Sequence, residues 1–475
     1  MAQQVDSFDF PAELDWVNTS QVPQRDALRG RATLLYFWTY DCVNCVNLLA
    51  DVAWLESRHH DGLCVIGVHT PRYDAQRTAA AVLKAVNRHG LRHPVANDPG
   101  FALWQKLGVQ AWPSVVLLDT QARPVAIFTG EGRRQEIDAR ISALLDEAIA
   151  GDTRVYENWP PVARPEPHLP LAFPSRVVAT ERHLYIADTA HHRVLETTLD
   201  GNVLRQFGSG NAGYWDGRLA DCGLTSPQGL ALGKDCLYIA DTGNHAVRRV
   251  RLLAGDVDTV VGTGKIGRDR PQQHPEPTAV GLCAPVDVAV HNEHLYVSLA
   301  GQHQIWDLDL TRGILDILAG SGRFGLADGA GAYASFAQPA GITALGQALF
   351  VADAGAGAVR AIRLGDRQVT TLVGAGPWQF GDAAGRRDAV RLQHPQGVAV
   401  DPRGLVFVAD SYNDKLKAIN LKTGETRSFS LPYRFQAPEG VSLSQGALWV
   451  ANTNAHEIVR VDLGNGSCRR IPVGE

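Results

Sequence analysis

The stretch "PQGLALGKDCLYIADTGNHAVRRV" (residues 227–250) decides the fold of most of this 475-residue chain, because related copies of it recur. Each copy has a Pro before a short aliphatic strand, then a second strand, and then a third. The six copies have this Pro at Pro174, Pro227, Pro285, Pro339, Pro395 and Pro438. Spacings of 43 to 58 residues are typical of propeller blades rather than of helical solenoids. One blade cannot cover both of its faces, so stacking around an axis buries the apolar side chains.

The repeated pattern, Pro-x-Gly-aliphatic followed by Ala-Asp and Ser or Thr, resembles the NHL repeat. Six copies imply a six-bladed β-propeller over residues 171–475. The third copy departs from the pattern, with Ser298 and Leu299 in place of Ala and Asp, and the sixth has Asn452 in place of Asp. In the other four copies we expect the Asp to accept hydrogen bonds that hold a blade turn, with ligand binding as the alternative. These residues are Asp188, Asp241, Asp353 and Asp410.

The longer connections between the copies are candidates for contact with partners. Three of them share a glycine-rich phrase, "GSGNAGYWDG", "GSGRFGLADG" and "GAGPWQFGDAAG". This recurrence favours a strand-to-strand linker geometry over ligand binding. The approach to the third copy, "GKIGRDRPQQHPEPTAVG" (residues 264–281), is the longest irregular insert. Because propeller loops on one face often contact partners, this insert is a candidate partner-binding loop.

The first 150 residues have a different rhythm, in which apolar strands alternate with amphipathic helices. The strand candidates are "TLLYFW" (33–38), "LCVIGVH" (63–69), "SVVLLD" (114–119) and "PVAIFTG" (124–130). The overall order, βαβαβαββα, requires a central sheet covered by helices on both faces. The Pro-rich segment 151–170 then favours extended chain. We therefore predict an α/β domain over residues 1–150, a linker over 151–170 and the propeller over 171–475.

Two cysteines stand three positions apart where the first of these strands leads into a helix, in "FWTYDCVNC" (residues 37–45). At the N-terminus of a helix, unpaired backbone amides and the helix dipole stabilise a thiolate. Cys42 would therefore be the attacking sulfur, and Cys45, one turn inward, the resolving sulfur. Attack on a partner disulfide would form a mixed disulfide, which Cys45 would release. The pair is a candidate catalytic site.

This half of the chain resembles the thioredoxin-like family over most of residues 27–150. The resemblance rests on the Cys-x-x-Cys sequence after a strand, on the helix that follows, and on "GVQAWPSVVLLD" (residues 108–119). It implies that Trp112 and Pro113 correspond to the cis-proline loop of the family. In that family the loop lies against the reactive sulfur and holds the substrate backbone, so both residues are candidate substrate-binding residues.

The sequence around the cysteines departs from that of ordinary thioredoxins. Val43 and Asn44 replace the usual Gly-Pro, and Tyr36 occupies the position of the family's buried acid. Asp41 directly precedes Cys42, and a neighbouring negative charge disfavours a thiolate. We interpret Asp41 as a helix N-cap, with a catalytic part as the alternative.

The net charge, the distribution of apolar residues and the motifs argue against several other kinds of protein. The formal net charge of −5 offers no basic excess to neutralise a phosphate backbone, so nucleic acid is not expected as a partner. The N-terminus lacks the basic start and apolar run of a signal peptide, and no window approaches the roughly 20 apolar residues of a membrane span. We expect a cytoplasmic protein with no membrane partner.

No second Cys or His pair completes a zinc site and no phosphate loop occurs, so no metal or cofactor is expected. A peroxidase is a minor alternative, because Thr39 and Cys42 fit the peroxiredoxin pattern but Leu35 occupies its Pro position.

The order of the two parts is similar to that of NHL repeat-containing thioredoxin-like proteins, a family in which a Cys-aliphatic-Asn-Cys motif is common. The resemblance covers nearly the whole chain. The first hypothesis is a thiol-disulfide oxidoreductase that acts on a protein thiol or disulfide, with the propeller recruiting a protein partner. The alternative is a non-catalytic interaction protein in which the thioredoxin-like fold is only a platform. A reactive dithiol would be an unneeded hazard in a pure scaffold, which favours the first hypothesis.

Overall fold

The structure, a computed structural model, describes residues 9–155, 169–268, 270–271 and 275–474. The chain folds as two compact units, residues 1–167 and 168–475. Most of the predicted linker, residues 156–168, lies outside the described residues. Residues 151–155 pack on the first unit, where the Val155 N–H donates to the Gly30 carbonyl at 3.0 Å. The described residues contain no helix that is both long enough and apolar enough to cross a bilayer.

The first unit is built on a six-stranded sheet with the order β1-β4-β3-β2-β5-β6. Its strands are β1 (Asp15–Val17), β2 (Ala32–Trp38), β3 (Leu63–His69), β4 (Val95–Asn97), β5 (Ser114–Leu118) and β6 (Pro124–Thr129). Its helices are α1 (Arg25–Leu28), α2 (Val43–Arg58), α3 (Ala79–Arg88), α4 (Ala102–Lys106) and α5 (Arg134–Ala150). The predicted order is confirmed, with β1 and α1 added before it. Strands β2, β3 and β4 are parallel, and the other neighbours are antiparallel.

Side-chain alternation along β2 divides the core of this unit into two layers. Leu34, Tyr36 and Trp38 pack with residues of α2, α3 and α5 on one face of the sheet. Leu35 and Phe37 pack with residues of α1 and α4 on the other face. All seven residues of β2 are buried, so its carboxyl end holds the chain that enters α2 in a fixed position.

The second unit is a six-bladed propeller, as the repeats predict, and each blade is one antiparallel sheet. Blade 1 consists of β7 (Pro174–Ala179), β8 (His183–Asp188), β9 (Arg193–Thr198) and β10 (Val203–Phe207). Blade 2 consists of β11 (Gly217–Arg218), β12 (Leu230–Leu232), β13 (Cys236–Asp241), β14 (Ala246–Arg251) and β15 (Asp256–Val261). Blades 3 and 4 consist of β16 (Pro285–His291), β17 (His294–Leu299), β18 (Gln304–Asp309) and β19 (Ile314–Ala319), and of β20 (Gly329–Ala330), β21 (Pro339–Leu345), β22 (Ala348–Asp353), β23 (Ala358–Arg363) and β24 (Gln368–Val373). Blades 5 and 6 consist of β25 (Gly385–Arg386), β26 (Gly397–Asp401), β27 (Leu405–Asp410), β28 (Lys415–Asn420) and β29 (Glu425–Ser428), and of β30 (Pro438–Ser444), β31 (Ala447–Asn452), β32 (Glu457–Asp462) and β33 (Cys468–Ile471).

In the four blades that have the repeated Asp, its carboxylate accepts a hydrogen bond that holds a turn of the blade, as expected. Asp241 accepts the backbone N–H of Thr225, two residues before the repeat Pro, at 2.7 Å. The same bond is made in three other blades by Asp188, Asp353 and Asp410. Asn452 makes it in blade 6. In blade 3, which lacks the Asp, the side-chain carbonyl of Gln302 accepts the N–H of Cys283 at 3.0 Å, so a different residue restores the missing bond.

In four blades the hydroxyl after the repeated Asp or Asn joins the blade to the next one. Thr242 Oγ1 donates to the Pro285 carbonyl of blade 3 at 2.7 Å. Thr453 of blade 6 donates to the Pro174 carbonyl of blade 1 at 2.8 Å, so the last blade closes the ring on the first through the same joint. Ala354 of blade 4 lacks the hydroxyl.

An ion pair joins the inner strands of blades 1 and 3 across the axis of the propeller. The second residue after the repeat Pro is Gly in four blades, because the inner strands approach closely: a Cβ on Gly229 would lie 2.3 Å from Asp287 Cα. Blades 1 and 3 carry Arg176 and Asp287 at this position. Arg176 donates to Asp287 Oδ2 at 3.0 Å and to the Gln396 carbonyl of blade 5 at 2.8 Å. Alternate blades are therefore tied together across the axis.

Candidate redox site

The two cysteines lie at the start of α2, where the chain leaves the carboxyl end of β2. Cys42 is the N-cap residue, and its carbonyl accepts the N–H groups of Cys45 at 2.9 Å and Val46 at 3.0 Å. Cys42 is half-buried and Cys45 is fully buried. The first sulfur therefore lies at the N-terminal, positive end of the helix dipole, and the second lies inside the domain.

Both cysteines are free thiols. Burial raises the pKa of the Cys45 thiol well above its usual range, and the neighbouring Cys42 raises this pKa further. Cys45 is therefore protonated at neutral pH. The site has two unequal thiols, of which only Cys42 reaches solvent.

The interpretation of Asp41 as the helix N-cap is wrong. Its buried carboxylate accepts hydrogen bonds from Thr39 Oγ1 at 2.6 Å and from Gln76 Nε2 at 2.7 Å, both to Oδ1. The other oxygen lies 3.5 Å from Nη1 of Arg72, whose side chain is also buried. This guanidinium offsets the negative charge that we expected to disfavour a thiolate at Cys42.

Arg72 and Gln76 are functional candidates that the sequence did not reveal. The side-chain oxygen of Gln76 accepts the backbone N–H groups of Arg72 at 2.8 Å and Tyr73 at 3.0 Å, which fixes the loop after β3. Strands β2 and β3 are parallel, with Trp38 opposite His69, so the segments that follow them meet at one edge of the sheet. A search for polar residues just after β3 is the signal that could have found this pair.

The loop that carries Trp112 and Pro113 lies beside the same edge. The peptide bond between them is cis. Strand β5 pairs with β2 so that Ser114 is opposite Phe37, which places Pro113 next to the end of β2. Trp112 packs on the same hydrophobic cluster as Cys42, and its Nε1 donates to Thr70 Oγ1 at 2.5 Å. The structure thus brings the candidate substrate loop to the end of the sheet that holds the cysteines.

Tyr36 takes the place of the family's buried acid with a neutral group. Its hydroxyl oxygen lies 2.7 Å from His93 Nε2, and His93 Nδ1 lies 3.2 Å from Glu56 Oε2. A Cβ at Gly67 on the neighbouring strand would lie 2.7 Å from the Tyr36 hydroxyl, so Gly67 makes room for this ring. Burial raises the pKa of Tyr36 well above its usual value. Tyr36 is therefore not a proton acceptor at neutral pH.

Comparisons with known proteins support both parts of the chain. A family model described as thioredoxin-like matches residues 30–123, and one described as NHL repeat matches residues 392–417. "Thioredoxin-like protein SkfH" of Bacillus subtilis is 30% identical over 127 residues, which are 26% of this chain and 85% of that protein.

Two longer relatives cover almost all of the chain. "Protein SUPPRESSOR OF QUENCHING 1, chloroplastic" of Arabidopsis thaliana is 34% identical over 96% of this chain, which spans only 47% of that protein's own length. "NHL repeat-containing protein 2" of Homo sapiens is 33% identical over 98% of this chain and 71% of that protein. With a thioredoxin-like domain followed by an NHL propeller, the chain belongs to the NHL repeat-containing protein 2 family.

Proposed function

We propose that the protein is a thiol-disulfide oxidoreductase, with Cys42 as the nucleophile, Cys45 as the resolving thiol, and the propeller recruiting a protein partner. One observation carries the proposal. Two free thiols stand three residues apart at the N-terminus of α2, and of these two only the outer one is partly exposed. This asymmetry suits a dithiol that attacks a partner first through one sulfur.

The reaction transfers two electrons from the dithiol to a disulfide of the partner. The Cys42 thiolate attacks one partner sulfur, and the other partner sulfur leaves as a thiolate and takes up a proton. Cys45 then loses its proton and attacks Cys42, which releases the second partner thiol and leaves a disulfide between Cys42 and Cys45. An external dithiol reductant would restore the reduced site.

Three neighbouring features support this chemistry. Cys42 is the N-cap of α2, a position at which the helix dipole favours negative charge, and Arg72 offsets the charge of Asp41. Trp112 and Pro113 are proposed to bind the substrate chain, since their loop begins the strand beside β2. A relative of the first domain carries the name thioredoxin-like.

The test uses a disulfide substrate such as insulin, with dithiothreitol as the reductant. Wild-type protein should accelerate reduction, Cys42→Ser should abolish the acceleration, and Cys45→Ser should accumulate a mixed disulfide through Cys42 that mass spectrometry detects. Cys236→Ser, in the propeller, is the matched control and should behave like the wild type. Reduction by Cys42→Ser at the wild-type rate would contradict the proposal.

A non-catalytic interaction role is the second candidate, and the environment of Tyr36 favours it. Where an oxidoreductase of this fold would carry a buried acid to assist Cys45, this chain has a hydroxyl whose pKa burial raises well above its usual value. A scaffold would show no acceleration in the insulin assay and no trapped mixed disulfide in Cys45→Ser. The same experiment therefore separates the two functions.

A further inference from the structure

Blade 3 differs from its neighbours in how charge is arranged. In blade 2 the buried Arg248 bridges Asp241 and Asp216, and in blade 4 Arg360 bridges Asp353 and Asp328 in the same way. In blade 3 the corresponding positions are Leu299 and Trp306, which are fully buried and apolar. The connections before blades 2 and 4 carry Asp-Gly, whereas the connection before blade 3 has none and carries three basic residues against two acidic ones. The buried acid-base pairs of blades 2 and 4 are thus replaced by apolar side chains in blade 3.

Five exposed residues from the two connections that flank blade 3 form what we call the basic patch. They are Lys265, Ile266, Arg270, Arg323 and Phe324. Arg270 Nη2 donates to the Ser321 carbonyl at 2.8 Å, so the connection before blade 3 reaches the connection after it. Arg323 and Phe324 follow Ser321 by two and three residues, which brings the two connections into one surface.

The basic patch combines charge with apolar area. Among the residues that the structure describes, no carboxylate forms an ion pair with its three cations. Ile266 is 45% exposed and Phe324 is 42% exposed, although the Phe324 ring also packs edge-on against His303 at 5.5 Å. The chain as a whole carries a formal net charge of −5, so the basic patch is a local exception. Exposed cations with interleaved apolar side chains are typical of a surface that meets a carboxylate-rich partner.

We infer that the basic patch binds an acidic segment of a partner protein, one that carries aromatic or aliphatic side chains among its carboxylates. Arginine forks match carboxylates, and the two apolar residues would cover the apolar side chains of the segment. A nucleic acid is the less favoured occupant, because the acidic remainder of the chain repels a long phosphate polymer. The inference rests on the recruitment part of the proposed function and not on its thiol chemistry.

The test measures the fluorescence anisotropy of a labelled peptide of alternating glutamate and phenylalanine. The full chain is used with Cys42→Ser and Cys45→Ser, so that failure of the redox proposal does not affect the result. Arg270→Glu with Arg323→Glu should raise the Kd at least about tenfold, because like charges then face the peptide. Arg312→Glu is the matched control, since it lies in the hairpin at the other end of β19 and should change the Kd by less than about twofold.

Further variants and a competitor, measured in the same assay, test the inference. Phe324→Ala should weaken binding at high salt, where charge is screened and apolar contact remains. Arg323→Glu alone, with thermal melting to confirm folding, should weaken binding less than the double variant. Equal affinity of the double variant and the parent overturns the inference, and so does equal loss in Arg312→Glu. Tighter binding of a single-stranded oligonucleotide that displaces the peptide also overturns it, because the surface would then be a nucleic-acid site.

Discussion

The polar residues of the propeller joints and the cysteines of the first domain are both spaced regularly in the sequence, but the fold uses them in opposite ways. Asp241 is buried, and its two carboxylate oxygens are held by Thr225, Asn244 and Arg248. Cys42 and Cys45 are free thiols that pack on the core of their domain, and Cys42 is partly exposed. Loss of a residue of the first kind should cost stability, and loss of a residue of the second kind should cost chemistry.

The largest effect that would separate the two regions is expected from Asp241→Ala. Arg248 is completely buried, and removal of Asp241 breaks its buried ion pair and leaves the half-exposed Asp216 as its counter-ion, which costs about 3–5 kcal/mol of the free energy of unfolding. Urea denaturation measures the loss, and the rate of Cys42 alkylation should not change. Asp200→Ala, at an exposed ion pair with Arg469, is the control and should cost less than about 0.5 kcal/mol. A small loss in Asp241→Ala would break the comparison.

Low pH should lower the stability of the first domain through the protonation of His69. Burial lowers the pKa of His69 to about 4, whereas the unfolded chain has the usual value near 6.5. Between these two pH values the unfolded state binds the extra proton, so stability is full above pH 6.5 and falls as the pH drops toward 4. The loss amounts to about 3 kcal/mol for this residue.

The variant His69→Phe tests this pH dependence while keeping a ring against Tyr40, which stacks on His69 at 5.2 Å. Its urea midpoint should decline less between pH 6.5 and pH 4 than that of the wild type. An unchanged decline would show that the acid sensitivity comes from other groups.

A smaller effect is expected from Arg72→Met, which removes the cation beside Asp41 without touching either cysteine. The unbalanced carboxylate should slow the alkylation of Cys42 by iodoacetamide at pH 7 by about threefold or more, because a nearby negative charge disfavours the thiolate. Arg77→Met, an exposed arginine in the same loop, is the control. The double variant with Asp41→Asn should return the alkylation rate toward that of the wild type. A rate that stays unchanged in Arg72→Met would mean that Asp41 does not act on the thiols.

The smallest effect concerns one joint of the propeller. Thr242→Val removes the hydroxyl that donates to the Pro285 carbonyl and should cost about 1 kcal/mol in urea denaturation. Thr242→Ser keeps the hydroxyl and should cost less. Blade 4 already lacks this bond at Ala354, so equal stability of the Val and Ser variants would show that the joint depends on packing instead.

Repetition explains why the propeller could be predicted so fully from the sequence. Six copies of one pattern fix the number of blades, and a side chain that recurs in each copy must serve the copy itself, as Asp188 and Asp353 do. The replacement of the missing Asp of blade 3 by Gln302 could not be predicted, because this residue stands outside the repeated position.

The candidate redox site was predictable only where its geometry is local. Its cysteines follow from a strand that leads into a helix. Asp41 was misinterpreted because N-cap preference is a property of neighbouring residues, whereas two of its partners, Arg72 and Gln76, are 31 and 35 positions away. Only the parallel pairing of β2 and β3 brings them together, and a single sequence does not show this register.

The ion pair between Arg176 and Asp287 also bears on how this protein can evolve. Repeat proteins gain and lose units by recombination, and rings of other sizes are built from similar blades. Here a deletion or duplication between blades 1 and 3 would place Arg176 opposite a glycine and bury its charge without a counter-ion. The cross-axis pair therefore disfavours the gain or loss of a blade between blades 1 and 3.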